Sequence, residues 1–320
     1  MTQADMSLIL SDSLLDAVAT RAAGYDYRVW GYGEGPALLG MLRAGELLKK
    51  PSLIDTVTSL VAPAFRSETD PTDHLIPVEV LLELRRLRPG LPVEGLLDRF
   101  CQAVIGATRP RRGQPPVHRP DLGNLSNTIW VDCLHTDAPG LTLAGFAGES
   151  ASLTEEICAA LQGNVGLFSH GYDIATEQAN HVHWGRGQGW ALHGLVLGSE
   201  SPRLHARLIA LLKAMDTFEQ AGRWHTIVDD PSSPVENSVS ALVASGILLG
   251  VARNRLPERW LSLAERALAA AVASLDHDGG LPVSEATPVG DPTNYINRQS
   301  GIFPWGQGPL LLALIERRKY

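Results

Sequence analysis

The sequence predicts an all-α fold, an (α/α)6 barrel that takes the whole chain, residues 1–320, as one domain. Three observations predict it. Apolar residues recur at helical spacing along most of the chain, whereas alternating Val/Ile/Thr runs are short. Six segments share one design, an aromatic or polar opening often carrying Gly or Pro, followed by an unusually apolar helix. Between them lie helices with charge on one face, such as 203–215 and 257–275. A helix apolar all round is buried, and one with a charged face lies outside. Alternation of the two kinds predicts an inner ring wrapped by an outer ring. A linear solenoid is the competing arrangement, but its repeats are usually shorter and more uniform.

In chain order the inner segments are WGYGEGPALLGMLRAGELL from Trp30, DHLIPVEVLLELRRL from Asp73 and WVDCLHTDAPGLTLAGFAG from Trp130. WGRGQGWALHGLVLGSE from Trp184, SPVENSVSALVASGILLGVA from Ser233 and FPWGQGPLLLALIERR from Phe303 complete the set. Their spacing leaves room for a helix, a turn, a second helix and a return loop. Parallel inner helices bring their N-termini to one end, so the six openings meet in one funnel. Unpaired N–H groups and partial positive charge there suit an anionic ligand. Five of the seven tryptophans (Trp30, Trp130, Trp184, Trp190 and Trp305) lie in these openings, a placement that fits sugar-stacking walls better than core filler.

The bulk numbers narrow the function. A hydrophobic share of 44% over 320 residues supports a substantial core. No run of about 18 apolar residues occurs, so no membrane partner is expected. A net charge of -8 argues against a nucleic-acid partner. The opening MTQADMSLILSDSLLDAV lacks the pattern of a secretory signal, and Cys101, Cys133 and Cys158 are too scattered for a disulfide framework, so a cytoplasmic location is expected.

Asp132 heads the chemical candidates. An Asp at a helix start is often only a cap, but Asp73 opens the preceding inner segment, and consecutive inner helices are neighbours. The two carboxylates are expected to approach. Proximity and packing against Trp130 would then raise the pKa of one of them and make it a proton donor near neutrality. Arg186, between Trp184 and Trp190, is the cation best placed to pair with a carboxylate. His170, ahead of the fourth inner segment, can donate to a substrate oxygen. In SPVE, Ser233 reads as N-cap, Pro234 as N1 and Glu236 as N3 of a capping box, so Glu236 is taken as structural. His181, His183 and His225 do not make a convincing ligand set, and no metal is expected.

In order, WVDCL, WGRGQGW, RWHTIVDDPSSPVENSVSA and FPWGQGPLLLALIE resemble the unsaturated uronyl hydrolases, above all the unsaturated rhamnogalacturonyl hydrolases of glycoside hydrolase family 105, with the unsaturated glucuronyl hydrolases of family 88 as cousins. The resemblance runs from about Trp30 to Glu316. It implies an (α/α)6 barrel acting on an oligosaccharide whose non-reducing uronate carries a C4=C5 double bond. The implied reaction protonates that bond and adds water at C5; the hemiketal then opens and expels the aglycone. By motif position the resemblance makes Asp132 the acid/base and Asp73 the carboxylate that tunes it. It sets His170 near the double bond, Arg186 and Trp190 on the uronate, and Trp130, Trp184 and Tyr32 along the pocket. It implies no metal or organic cofactor, and a monomer or homodimer is expected. Two departures stand out: Cys133, Leu134, His135 and Thr136 replace the acidic, Phe and Met pattern after WVD, and DHLIPVE replaces a motif closer to D-x-N-P-G. Inverting hydrolysis of a saturated glycoside and a non-catalytic carbohydrate-binding barrel are the competing functions. A sugar epimerase is weaker, since no pair of histidines is placed for proton exchange on opposite faces.

Overall fold

A computed structural model describes residues 9–28, 30–111, 113–123, 125–198 and 200–320. Outer and inner helices alternate along the chain. They run α1 (Asp12–Ala23), α2 (Gly35–Leu47), α3 (Pro51–Val61), α4 (Val78–Leu87), α5 (Glu94–Ile105) and α6 (Cys133–Leu143). Then follow α7 (Ala147–Leu161), α8 (Gly185–Leu197), α9 (Pro202–Thr217), α10 (Asn237–Ala252), α11 (Leu261–Val272), the short α12 (Pro292–Ile296) and α13 (Pro304–Arg317). The inner helices α2, α4, α6, α8, α10 and α13 pack in that sequence, and α13 returns to α2, closing the ring. This is the α/α barrel expected from the alternation.

Burial separates the two rings as the apolar pattern requires. Every residue of α8 is buried, whereas on outer α9 only Leu204, Leu208, Leu211, Leu212, Ala214 and Met215 are. Those six form the apolar stripe of a one-sided helix. Glycine permits the tightest inner contact: a Cβ on Gly194 of α8 would land on the carbonyl oxygen of Leu134 in α6. Ser11 and Ser201 cap α1 and α9, accepting from the backbone N–H of Leu14 and Leu204.

Two departures from expectation concern helix starts. In the second inner segment Asp73–Leu75 forms a separate 3-10 turn, and α4 begins only at Val78, after Pro77. The capping box at Ser233 does not form. Instead 233–236 runs extended beside 224–227, with Thr226 N–H donating to Pro234 and Glu236 N–H to Trp224. The helix α10 therefore starts at Asn237, and Glu236 is itself the N-cap.

Small antiparallel sheets dress the mouth. Strands β1 (Thr128–Trp130), β2 (Gly171–Asp173) and β3 (Gln178–Ala179) form one, with Trp130 opposite Gly171. Strands β4 (Pro282–Ser284) and β5 (Ser300–Ile302) form the other and lead into α13. The first sheet has a direct consequence for the site: Val131 N–H bonds the His170 carbonyl at 2.9 Å, which fixes Asp132 next to the His170 ring. Among the described residues no helix is long and apolar enough to cross a membrane.

Candidate active site

Asp132 sits at the N-cap position of α6 and is 2% exposed. An isolated charge there would be very costly; its partner is His170, fully buried, whose Nε2 lies 3.1 Å from Asp132 Oδ2. A further residue decides which ring nitrogen carries the hydrogen. Tyr295 Oη accepts from Asn180 Nδ2 at 3.1 Å and from the Gly290 N–H at 3.2 Å. Its lone pairs are then occupied, so its own hydrogen goes to His170 Nδ1, 2.7 Å away. Nδ1 accepts, Nε2 holds the ring hydrogen, and Asp132 receives it.

The structure corrects the expected direction of the Asp132 pKa. Burial pushes the carboxyl up, but the hydrogen bond from His170, the electrostatic influence of the His170 and His118 rings and a backbone N–H outweigh it, and the net direction is down. The expected pairing with Asp73 is corrected too. Asp73 is buried, but its Oδ1 takes Arg99 Nη2 at 2.5 Å, and its Oδ2 takes Arg99 Nε at 3.0 Å and the Asp70 N–H at 3.0 Å. A bidentate guanidinium claims the group that was expected to tune Asp132. The next carboxylate along α6, five residues after Asp132, is Asp137, bonded to Thr136 Oγ1 at 2.5 Å and His74 Nδ1 at 3.2 Å.

The tryptophans and Tyr32 do converge. Trp130 meets His170 edge-on at 5.6 Å, and Trp184 packs on His170 at 4.4 Å. Tyr32 stacks on Trp305 at 5.8 Å and meets Trp190 edge-on at 5.9 Å. Contacts among the first turns of several inner segments are what a funnel of converging N-termini requires. Arg186 is fully buried with its guanidinium 4.7 Å from the Trp184 ring. Its terminal nitrogens are already occupied: Nη1 donates to Ser284 O at 2.9 Å, and Nη2 to Glu285 O at 2.8 Å and Ser284 Oγ at 3.1 Å. Glu236 lies 3.8 Å away and accepts from the Ser284 N–H and from Ser238. The pair ties α8 and α10 to the β4 loop.

Sequence reasoning missed Tyr295, Asn180, His118, His74 and Asp137. His118 packs on Trp130 at 5.0 Å and places Nδ1 3.2 Å from Cys133 Sγ. Burial holds its pKa down at about 3. The only local signal at Tyr295 is the Asp291 cap, which accepts from Thr293 N–H and starts α12. Of the histidines set aside as metal ligands, His183 bonds Asp229 at 2.7 Å and His225 bonds the Ser233 carbonyl at 2.6 Å. Among the described residues no group of three or more His, Cys, Asp or Glu is placed to hold a metal ion.

Comparison with known proteins shows the family and supports the fold. The family model described as Glycosyl Hydrolase Family 88 matches residues 18–320. The unsaturated rhamnogalacturonyl hydrolase YesR of Bacillus subtilis (strain 168) is 29% identical over 168 residues, 47% of this chain and 46% of that protein. The match thus spans about half the length of that curated relative. A possible member of the GH105 family from Klebsiella pneumoniae superposes with a TM-score of 0.83 at 20% identity, covering 100% of this chain and 95% of that one. The unsaturated glucuronyl hydrolase of Bacillus sp. GL1, described as responsible for the degradation of glycosaminoglycan, gives 0.76 at 15% identity and 97% coverage of each chain.

Proposed function

Since the chain belongs to Glycosyl Hydrolase Family 88, we propose that it is a glycoside hydrolase that removes a Δ4,5-unsaturated uronic acid from the non-reducing end of lyase-generated oligosaccharides by hydrating the double bond. The observation that carries this reading is a buried Asp132 held by a tautomer-fixed His170 inside an aromatic enclosure.

In the free protein Asp132 is a carboxylate. A bound uronate brings a second negative charge and excludes water, both of which raise the Asp132 pKa and favour its protonation together with substrate binding. The Asp132 proton then passes to C4, and positive charge develops at C5, shared with the ring oxygen. Water adds its oxygen to C5 while its proton goes to the Asp132 carboxylate, restoring the acid. The C5 hemiketal opens, the C1–aglycone bond breaks, and the aglycone leaves with a hydrogen. One water is consumed. His170 keeps Asp132 oriented and Tyr32 lines the chamber beside the sugar, whereas Trp184 and Trp190, expected as stacking walls, are fully buried and instead back the His170 and His135 rings. Arg186 supplies positive charge from within the scaffold. Bidentate capture of the uronate would cost it its bonds to Ser284 and Glu285.

Inverting hydrolysis of a saturated glycoside needs a second free carboxylate across the sugar; Asp73, bound to Arg99, does not supply it. The test mixes the protein with saturated and unsaturated uronyl disaccharides and follows the ultraviolet absorbance of the conjugated ene-carboxylate. Loss of that absorbance, reduced by a factor of at least about a hundred in Asp132→Asn, supports the reading. Cleavage of only the saturated sugar, or full turnover by the variant, rejects it.

A further inference from the structure

One turn along α6 from Asp132 lies a residue that the family resemblance leaves unexplained. His135 stacks on Trp190 with centroids 4.4 Å apart and planes 23° apart. Its Nδ1 is buried with no hydrogen-bond partner, and the same holds for Tyr32 Oη. Both residues line one small chamber inside the barrel, about 50 Å³, together with Thr136, His193 and Glu79. Burial and the neighbouring His193 hold the His135 pKa down at about 3, so the ring is neutral at working pH. A buried donor or acceptor left unmade is costly, and two beside one cavity mark a place that something polar fills.

We propose that His135 is a specificity-determining residue, which with Tyr32 hydrogen-bonds a free ring hydroxyl of the sugar and thereby selects an unsulfated uronate. This rests on the reading of the chain as an unsaturated uronyl hydrolase. A non-reducing terminal uronate enters with its C4 edge first, because C1 carries the rest of the oligosaccharide toward the mouth. One helical turn is about 5 Å, the reach from the C4–C5 edge across a pyranose to its C2 and C3 hydroxyls. With Asp132 at the double bond, His135 meets those hydroxyls. The neutral imidazole offers one donor and one acceptor, and a hydroxyl can use both, whereas a sulfate ester can use only the donor and meets the bare nitrogen lone pair unfavourably. Among the described residues the chamber lining contains no Lys or Arg, and its one acidic member is Glu79. A sulfate carried there would lose its water without gaining a cation.

The experiment compares kcat/KM for two unsaturated uronyl disaccharides that differ only in a 2-O-sulfate on the uronate, using wild type, His135→Phe and His135→Asn. Phe keeps the stacking on Trp190 and removes both polar nitrogens; Asn keeps a donor and an acceptor. Wild type is expected to use the unsulfated sugar at least about a hundredfold better. His135→Phe should lose roughly tenfold to thirtyfold on that sugar, the size of one or two buried hydrogen bonds, with His135→Asn retaining most of the activity. Equal use of both sugars by wild type, or a His135→Phe within threefold of wild type, overturns the proposal while leaving the hydrolase reading intact. Inertness of wild type toward both sugars removes the hydrolase reading and this proposal with it.

Discussion

The two sides of the barrel mouth treat their polar groups in opposite ways. On the α8–α10–α13 side a buried network is committed to the scaffold: Arg186 (through its terminal nitrogens), Glu236, Ser238 and Ser284 bond one another, and Gln307 reaches the carbonyls of Val18 and Gly279. On the α4–α6 side packing is looser. Helix α4 buries only Val78, Val80, Leu81 and Leu84, and Tyr32 Oη, His135 Nδ1 and His74 Nε2 have no partner. Open space follows the same division. One chamber is lined by His135 and Tyr32, and a second, Pro-rich cavity by His74, His118 and Asp137. Trp184 Nε1, Arg186 Nε and Trp190 Nε1 on the first side also lack partners but line neither cavity, so the unpartnered groups that face these two open spaces belong to the other side. Asp132 stands at the join, held by His170 and adjoining the chamber through His135 and Thr136.

The sharpest way to break this contrast is to disturb the committed side. Arg186→Ala leaves Glu236 buried without its guanidinium and strips donors from the Ser284 and Glu285 carbonyls. Removing one partner of a buried pair costs about 3–5 kcal/mol, so denaturant titration should show a loss of that order. A loss below about 1 kcal/mol would mean that the guanidinium is free for substrate after all. In that case a raised KM, with stability intact, is what the kinetics would show.

A smaller effect is expected at the join. Tyr295→Phe removes the hydrogen that makes His170 Nδ1 an acceptor. The ring can then carry its hydrogen on Nδ1 and turn a bare Nε2 toward the Asp132 carboxylate. Under the proposed mechanism kcat should fall by about tenfold to a hundredfold, with KM within about threefold, because the lost interaction orients the acid rather than the sugar. An unchanged kcat at equal folded fraction would show that Tyr295 only supports the α12 loop. The mechanism also sets the order of two pH limbs. Asp132 is held down in the free protein and raised by the bound uronate, so the alkaline fall in kcat should lie at higher pH than the fall in kcat/KM. Coincident limbs would remove the substrate-coupled proton.

How far these features are legible in the sequence follows the same division. The committed side is readable because it is made of pattern: WGRGQGW and FPWGQGPLLLALIE announce wholly buried helices with close-packed glycines. The position of Asp132 beside Trp130 marks a carboxylate at a helix start. Relations between distant residues are not readable. Nothing in TDHLIP says that Arg99, 26 residues on, will claim Asp73. Nothing at Tyr295 points across 125 residues to His170. Glu236 was read as structural, and it is, but through a different bond set. The extended pairing of 224–227 with 233–236 is a tertiary choice that overrode a sound local capping signal.

The smallest effect expected concerns stability in acid, and it tests whether the open side holds its histidines neutral. Burial lowers the pKa of His118 and His135 to about 3 and that of His193 to about 4, from an ordinary value of 6.5. Between those limits the unfolded chain binds protons that the folded protein does not, so stability falls as pH drops from about 6.5 toward 4 and is unaffected above it. Each such histidine contributes a slope of up to about 1.4 kcal/mol per pH unit. Carboxylates held low in the fold, Asp132 among them, lose their contribution in the same direction at still lower pH, which is why the window to measure is pH 4.5–6.5. His118→Asn removes one titrating ring beside the Pro-rich cavity. It should flatten the slope by at most that amount while leaving the stability at pH 7.5 nearly as it was, apart from the Cys133 contact. A slope unchanged by the substitution would mean that His118 takes up its proton in the folded state, and that water already reaches the ring from the cavity side.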